Sequence, residues 1–144
     1  MTGLSILGPA AVLVLWTLLV LMWVTLTRFP AFAQAGIDVK KAPAGARYTD
    51  VESNMPPGIN WVSHNYTHLL EQPTIFYAVV AILAIVGDHS ALSLTAAWGY
   101  TVLRIAHSLW QGLVNLVPQR MLLFTLSTLC LWVLAIRAVW LTVI

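Results

Sequence analysis

The sequence predicts an all-α integral membrane protein, a bundle of four transmembrane helices. Of its 144 residues, 60% are hydrophobic and only 8% are charged, whereas an ordinary soluble domain has about 25% charged residues. The mean hydropathy is +0.85. So few polar side chains cannot cover the surface of a water-soluble globule. The chain also divides into four apolar stretches, and each approaches the roughly 20 residues that a helix needs to cross a bilayer.

The four stretches account for nearly the whole chain, so we expect a single membrane domain over residues 1–144. The first stretch has no charged residue before Arg28. A polar, proline-rich segment, residues 28–59, follows it and predicts a loop with one short interfacial helix. The other two connections are short turns. The expected transmembrane helices are residues 4–27, 60–86, 90–115 and 119–143.

The distribution of basic residues predicts the orientation of the chain. The long loop carries four of them and the third connection carries Arg120, whereas the second connection and both tails carry none. Cytoplasmic loops are enriched in Lys and Arg. We therefore expect a cytoplasmic long loop and both termini outside, and the four basic residues of the loop are Arg28, Lys40, Lys41 and Arg47.

Other classes of protein fit poorly. A net charge of +2 is too small for a nucleic-acid-binding surface, and the single cysteine, Cys130, excludes a disulfide framework and a cysteine-based zinc site. The run Ala31-Phe32-Ala33 imitates a signal-peptide cleavage site. However, no basic residue precedes the apolar stretch, and that stretch is too long for a signal peptide, so we expect it to be retained as a span.

The third span contains ionisable and amide side chains, which are costly inside a membrane and are candidates for function. The spacing of Arg104, His107, Gln111 and Asn115 places all four on one face of a helix. This polar stripe is predicted to run from mid-membrane to the cytoplasmic end. A buried core histidine would explain His107 taken singly, but not the alignment of all four.

The second span has a polar face at the same membrane depth. His64, His68 and Glu71 share one side of the predicted helix. Histidines at i and i+4 can share a metal ion, but four histidines in the whole chain are too few for a histidine-rich di-iron site, and we expect no metal. The alternative role of Glu71 is a buried structural ion pair with Arg104.

Three charged positions have ordinary structural interpretations. Arg120, just after Pro118, is either functional or an anchor that extends to the interface. Arg137 is expected to be an interface anchor near the outer end of the fourth span. Asp88 lies in the second turn and is expected to be solvated.

Two segments resemble the MAPEG family, the membrane-associated proteins in eicosanoid and glutathione metabolism. Residues 68–77, His-Leu-Leu-Glu-Gln-Pro-Thr-Ile-Phe-Tyr, resemble the family's helix-two signature, Asn-x-x-Glu-x-Pro-x-x-Phe-Tyr. Residues 98–108, followed by Asn115 and Arg120, resemble its helix-three pattern. The resemblance covers nearly the whole chain, and its specific part lies between about residues 64 and 124.

The resemblance implies a function and an assembly. It implies a homotrimer in which glutathione, as cosubstrate, lies between subunits near the cytoplasmic side. The implied activity is that of a glutathione-dependent transferase or peroxidase acting on lipophilic electrophiles or lipid hydroperoxides. As a bacterial-type member, the protein is expected in the inner membrane, with membrane lipids and a lipophilic substrate as partners and no nucleic acid.

The resemblance also implies roles for individual residues. Arg120 corresponds to the catalytic arginine that stabilises the thiolate, and an arginine can lower a thiol pKa without itself titrating. Glu71 corresponds to the residue that holds the amino group of glutathione. The expected glutathione-binding residues are His68, Glu71, Arg104, His107, Gln111 and Asn115.

Four positions depart from the family pattern. His68 replaces an asparagine, Gln111 a frequent tyrosine, Met121 a hydroxyl residue and Phe124 a tyrosine. Two hydroxyl donors that could stabilise a thiolate are therefore missing. The sequence does not support prostaglandin or leukotriene synthesis, and a non-catalytic protein of the same fold that binds a lipid or another anionic amphiphile is the alternative.

Overall fold

The computed structural model describes residues 6–143, and all regular elements in that range are helical. Three short 3₁₀ turns, Val39–Lys41, Tyr48–Asp50 and Glu52–Asn54, lie between the first two α-helices. The expected start of the first span at Leu4 lies outside the described residues. The α-helices are α1 (Leu7–Gln34), α2 (Pro57–Leu70), α3 (Gln72–Ile85), α4 (Ala91–Leu113) and α5 (Val117–Val143).

The helices confirm the predicted all-α membrane class. Three units are long and apolar enough to cross a membrane, namely α1, α2 together with α3, and α5. Helix α4 is the fourth member of the bundle, and its 23 residues extend over about 34 Å. It is less apolar than these three because it carries Arg104, His107 and Gln111, which it buries against its neighbours.

Helix α1 is longer than its apolar stretch. It continues past the expected end at Thr27 to Gln34 and includes Pro30, so the connection to α2 covers only residues 35–56. The apolar stretch ends at Arg28, the first charged residue, but the backbone hydrogen bonds of the helix continue to Gln34. The expected interfacial helix was wrong, because the connection forms the three 3₁₀ turns instead.

The second predicted span is interrupted at Glu71, where φ is −87° and ψ is −96°. Pro73 accounts for the break, because a proline has no backbone N–H and its ring clashes with the carbonyl four residues earlier. The last turn of α2 therefore retains carbonyl groups without helical partners. One of these, the carbonyl of His68, becomes an acceptor for a side chain of α4.

Helix α4 lies at the centre of the packing and contacts α1, α2 and α5. Tyr100 stacks on Phe76 of α3 with ring centroids 4.2 Å apart. The hydroxyl of Thr101 donates to the carbonyl of Pro9 over 3.1 Å, and the indole N–H of Trp16 donates to Ser108 over 2.9 Å. These contacts fix the rotation of α4 about its axis, so that Arg104, His107 and Gln111 are buried within the bundle.

At the opposite end, the turn between α3 and α4 is held to α5 by an ion pair. Asp88 is only 7% exposed, and its carboxylate lies 3.4 Å from the guanidinium of Arg137. It also accepts hydrogen bonds from Ser93 and from the backbone N–H of Ser90. The expectations of a solvated Asp88 and of Arg137 as a simple interface anchor were therefore wrong, because the two residues pair across the bundle.

The environment of Asp88 shifts its pKa. Burial alone would raise the pKa of this carboxyl, but hydrogen bonds from Ser93, from Ser90 and from Arg137 outweigh burial and lower it from 3.8 to about 2. A carboxyl with a depressed folded-state pKa stabilises the fold above its unfolded pKa, about 3.9. That stabilisation is lost as the pH falls through the folded value.

We predict that Asp88→Asn lowers the free energy of unfolding by about 1–3 kcal/mol at neutral pH, because it weakens a buried, hydrogen-bonded ion pair. Thermal unfolding of wild type and variant should differ most above about pH 4 and converge between about pH 4 and pH 2. Asp38→Asn is the control, because its pair with Lys41 is exposed and should contribute little. Equal stability of wild type and Asp88→Asn at neutral pH would contradict the assignment.

Candidate functional site

A cavity of about 310 Å³ lies at the end of the bundle where α2 breaks, α4 ends and α5 begins. Residues of α2, α3, α4 and α5 contribute to it, because Pro73 interrupts the second span and Pro118 lies in the first turn of α5. Its lining combines charged and polar side chains with two apolar ones. It is lined by His68, Glu71, Gln72, Arg104, His107, Arg120, Met121 and Phe124.

Arg104 is the most deeply buried charge of the cavity, with 1% exposure. Its Nη2 donates to the carbonyl of His68 over 2.9 Å, whereas its Nε and Nη1 are buried without a hydrogen-bond partner. The proposed ion pair with Glu71 is wrong, because no carboxylate of residues 6–143 pairs with Arg104. A buried cation with unused donors is costly, so this site is suited to an anionic group.

Two of the departures from the family pattern bind each other. Nδ1 of His68 lies 3.0 Å from Oε1 of Gln111, and Gln111 is 1% exposed. Because Oε1 can only accept, Nδ1 of His68 is the donor in this arrangement. Gln111 does not line the cavity, and its hydrogen bond orients the imidazole of His68, which does.

Asn115 occupies a different place from the one predicted. Helix α4 ends at Leu113, so Asn115 is not on its polar face and does not line the cavity. Its φ of 56° is a left-handed conformation that asparagine tolerates better than most residues. In this position its side-chain oxygen accepts a hydrogen bond of 2.7 Å from Nη1 of Arg120, which fixes the guanidinium at the cavity edge.

The remaining lining residues are the apolar Phe124 and Met121 and the amide Gln72. The ring of Phe124 lies 6.1 Å from the ring of His107 and 5.5 Å from the guanidinium carbon of Arg104. Phe124 and Met121 present no hydroxyl to the cavity. Gln72 was not predicted as a lining residue, although it follows Glu71 directly in the helix-two motif. Its amide donates to Thr128 of α5 over 2.9 Å.

His64 does not share the cavity. It hydrogen-bonds Glu52 of the preceding connection and lies in a neighbouring cleft. Within residues 6–143, no group of three or more His, Cys, Asp or Glu side chains is arranged to hold a metal ion. The alternative of a metal site formed by His64, His68 and Glu71 therefore has no support in the geometry.

Fold and site together define a class: a polytopic α-helical membrane protein with a cationic cavity at one end of its bundle. A family model described as the MAPEG family matches residues 6–140, nearly the whole chain. The protein belongs to the MAPEG family. No curated protein and no solved structure matches the sequence.

The contact between His68 and Gln111 gives a prediction. A double-mutant cycle of His68→Ala and Gln111→Ala should show a coupling of about 1 kcal/mol in the free energy of unfolding, because the two side chains share a partly buried hydrogen bond. The cycle of His64→Ala and Gln111→Ala is the control and should be additive. A His68–Gln111 coupling below about 0.3 kcal/mol would show that the bond contributes nothing.

Proposed function

We propose that the protein is a glutathione-dependent transferase or peroxidase that acts on lipophilic electrophiles or lipid hydroperoxides. The observation that carries the proposal is the buried guanidinium of Arg104, which has two unpartnered donor atoms and shares a cavity with Arg120 and Glu71. Glutathione has two carboxylates, one ammonium group and one thiol. Two cations and one carboxylate in one cavity complement this set of charges.

The geometry suggests a role for each charged group. Nε and Nη1 of Arg104 donate to a carboxylate of glutathione, which supplies the anion that this guanidinium lacks. Glu71, whose non-helical backbone lies between α2 and α3, accepts a hydrogen bond from the ammonium group. Arg120, held by Asn115 over 2.7 Å, faces the thiol. A fixed guanidinium beside a sulfur stabilises the thiolate, which is the reactive form.

In its neutral form, with Nδ1–H bonded to Gln111, His68 offers Nε2 as a proton acceptor. Nε2 takes the proton from the thiol, while Nδ1–H remains bonded to Gln111. The thiolate then attacks a carbon of the electrophile, so that an S–C bond forms and the bond to the leaving group breaks. The resulting imidazolium donates its Nε2–H to the thiolate, in place of the hydroxyl groups that Met121 and Phe124 do not provide.

The proposal includes an assembly and an orientation. A cavity of about 310 Å³ is at the small end of the range for ligand sites, about 300–1,000 Å³. Homotrimerisation would add a neighbouring subunit to the site and enclose the tripeptide. We place the protein in a bacterial inner membrane with the α1–α2 connection in the cytoplasm, because that connection carries Lys40, Lys41 and Arg47 whereas the α3–α4 turn at the other end of the bundle carries no Lys or Arg.

Glutathione binding is tested by thermal unfolding of the detergent-purified protein. Glutathione at 100 times its Kd should add about 2.7 kcal/mol of stability. Glu71→Gln should remove most of this effect because it removes the acceptor for the ammonium group. Asp38→Asn, which changes an exposed carboxylate of the connection, should leave it intact. An unchanged glutathione response in Glu71→Gln would contradict the role of Glu71.

Catalysis is tested by a substitution that adds a hydroxyl hydrogen-bond donor at position 124. Phe124→Tyr should raise the rate of conjugation to a lipophilic aryl halide by about tenfold, because one hydrogen bond to a charged acceptor contributes about 1.5 kcal/mol. Arg120→Gln should abolish turnover. The control is Phe29→Tyr, which adds the same hydroxyl to an exposed position on α1. Turnover that survives in Arg120→Gln would remove Arg120 from the mechanism.

The second candidate is a non-catalytic protein whose cavity binds a lipid or another anionic amphiphile. The apolar wall of Met121 and Phe124 favours it, because this wall lies beside the cations of the same cavity. Under this alternative, millimolar glutathione would produce no thermal shift. An anionic amphiphile would then stabilise the wild type but not a variant lacking Arg104.

A further inference from the structure

A second cleft, of about 440 Å³, lies between α1 and the connection that follows it. It does not share its lining with the cavity around Arg104. The connection is fixed in place by two contacts: the hydroxyl of Tyr48 donates to Asn60 of α2 over 2.6 Å, and the side chain of Asn60 donates to the carbonyl of Glu52 over 3.1 Å. The cleft is therefore a defined feature of the fold.

The lining of this cleft is amphipathic. Two basic residues, Arg28 and Arg47, lie among apolar side chains, and none of the residues that line it is acidic. Neither arginine forms an ion pair within the described part of the chain. The carboxylate of Asp50 accepts the backbone N–H of Arg47 and forms no ion pair with its side chain. The apolar side chains include Leu21, Val24, Phe29, Phe32, Ile37 and Val51.

Arg28 is positioned as a binding group. Its Nη2 donates to Ser63 over 2.7 Å, and its guanidinium lies over the ring of Tyr48 at 3.9 Å. Its Nε is buried and has no hydrogen-bond partner. Two fixed contacts therefore hold the guanidinium plane while one of its donors stays unused, which suits a phosphate oxygen.

The depth of the cleft fits a lipid of the surrounding leaflet. Residues 21 to 28 of α1 cover about 10 Å along the helix axis, so the apolar part reaches from the level of Arg28 into the hydrocarbon region. Leu21 and Phe29 are 38% and 58% exposed, so the cleft opens sideways toward acyl chains. Its volume, near the small end for ligand sites, suits one acyl chain.

We propose that this cleft is a specific site for an anionic phospholipid, with the phosphate at Arg28 and Arg47 and one acyl chain along α1. Basic pockets at the cytoplasmic boundary of membrane proteins bind anionic headgroups in this way. The proposal does not depend on glutathione binding. The two sites have different lining residues and are tested with different probes.

The test uses the full chain in mixed micelles of a neutral detergent, titrated with phosphatidylglycerol or with phosphatidylcholine while thermal unfolding is followed. Phosphatidylglycerol should stabilise the wild type at lower concentrations than phosphatidylcholine. Arg47→Gln should weaken the apparent affinity for phosphatidylglycerol by about fivefold, the contribution expected of one basic residue near the headgroups. Arg28→Gln should have at least the same effect. Because Arg28→Gln also removes the hydrogen bond to Ser63, Arg28→Lys, which keeps the positive charge, is measured beside it.

The matched control is Lys40→Gln, which removes the same charge from an exposed position of the same connection that does not line the cleft. It should leave the response to phosphatidylglycerol unchanged. If Lys40→Gln weakened the apparent affinity for phosphatidylglycerol as much as Arg47→Gln, the lipid would be held by general surface attraction, and the proposal would be overturned. Equal stabilisation of the wild type by the two lipids would overturn it as well.

Discussion

The site depends on one constraint, a guanidinium buried inside a membrane-embedded bundle with a single hydrogen bond. Arg104 is 1% exposed and reaches one acceptor, the carbonyl of His68. That acceptor is available because the second span breaks at Glu71, and the break follows from Pro73. A continuous helix would have used the same carbonyl for its own backbone. The proline of the helix-two motif thus frees the carbonyl that accepts from Arg104, and it gives Glu71 a non-helical backbone between α2 and α3.

The two ends of the bundle use their charges in opposite ways. At the turn end, Asp88 and Arg137 satisfy each other and tie the α3–α4 turn to α5. At the cavity end, Arg104 and Arg120 have no carboxylate partner among the described residues. A chain with so few charges places its paired residues where they stabilise the fold and leaves unpaired ones at the site. Ionisable groups inside membrane-spanning segments are rare and are candidates for function.

Much of the fold was predictable because it depends on local pattern. Length and hydropathy gave the membrane class, and helical spacing placed Arg104, His107 and Gln111 on one face, which the structure buries. The break at Glu71 was missed because hydropathy alone does not register the clash between Pro73 and the preceding turn. The end of α4 was placed too late, so Asn115 was assigned to the polar face instead of to the left-handed residue that supports Arg120.

The contacts that could not be predicted join residues far apart in the sequence. No periodicity relates Asp88 to Arg137, or His68 to Gln111, because each pair meets only when separate helices pack. The departures at His68 and Gln111 looked independent in the sequence, and their mutual hydrogen bond shows that they form one local arrangement. The orphaned donors of Arg104 were also invisible, since the sequence offered Glu71 as a plausible partner.

The most direct test of the account is thermal unfolding of Arg104→Met with and without glutathione. Methionine has a similar length and no charge, so the account predicts that the variant is more stable than the wild type without ligand, because an uncompensated buried charge has been removed. It also predicts that the stabilisation by glutathione disappears. A variant that is less stable without ligand and is still stabilised by glutathione would show that Arg104 is a satisfied structural residue, and it would contradict the account.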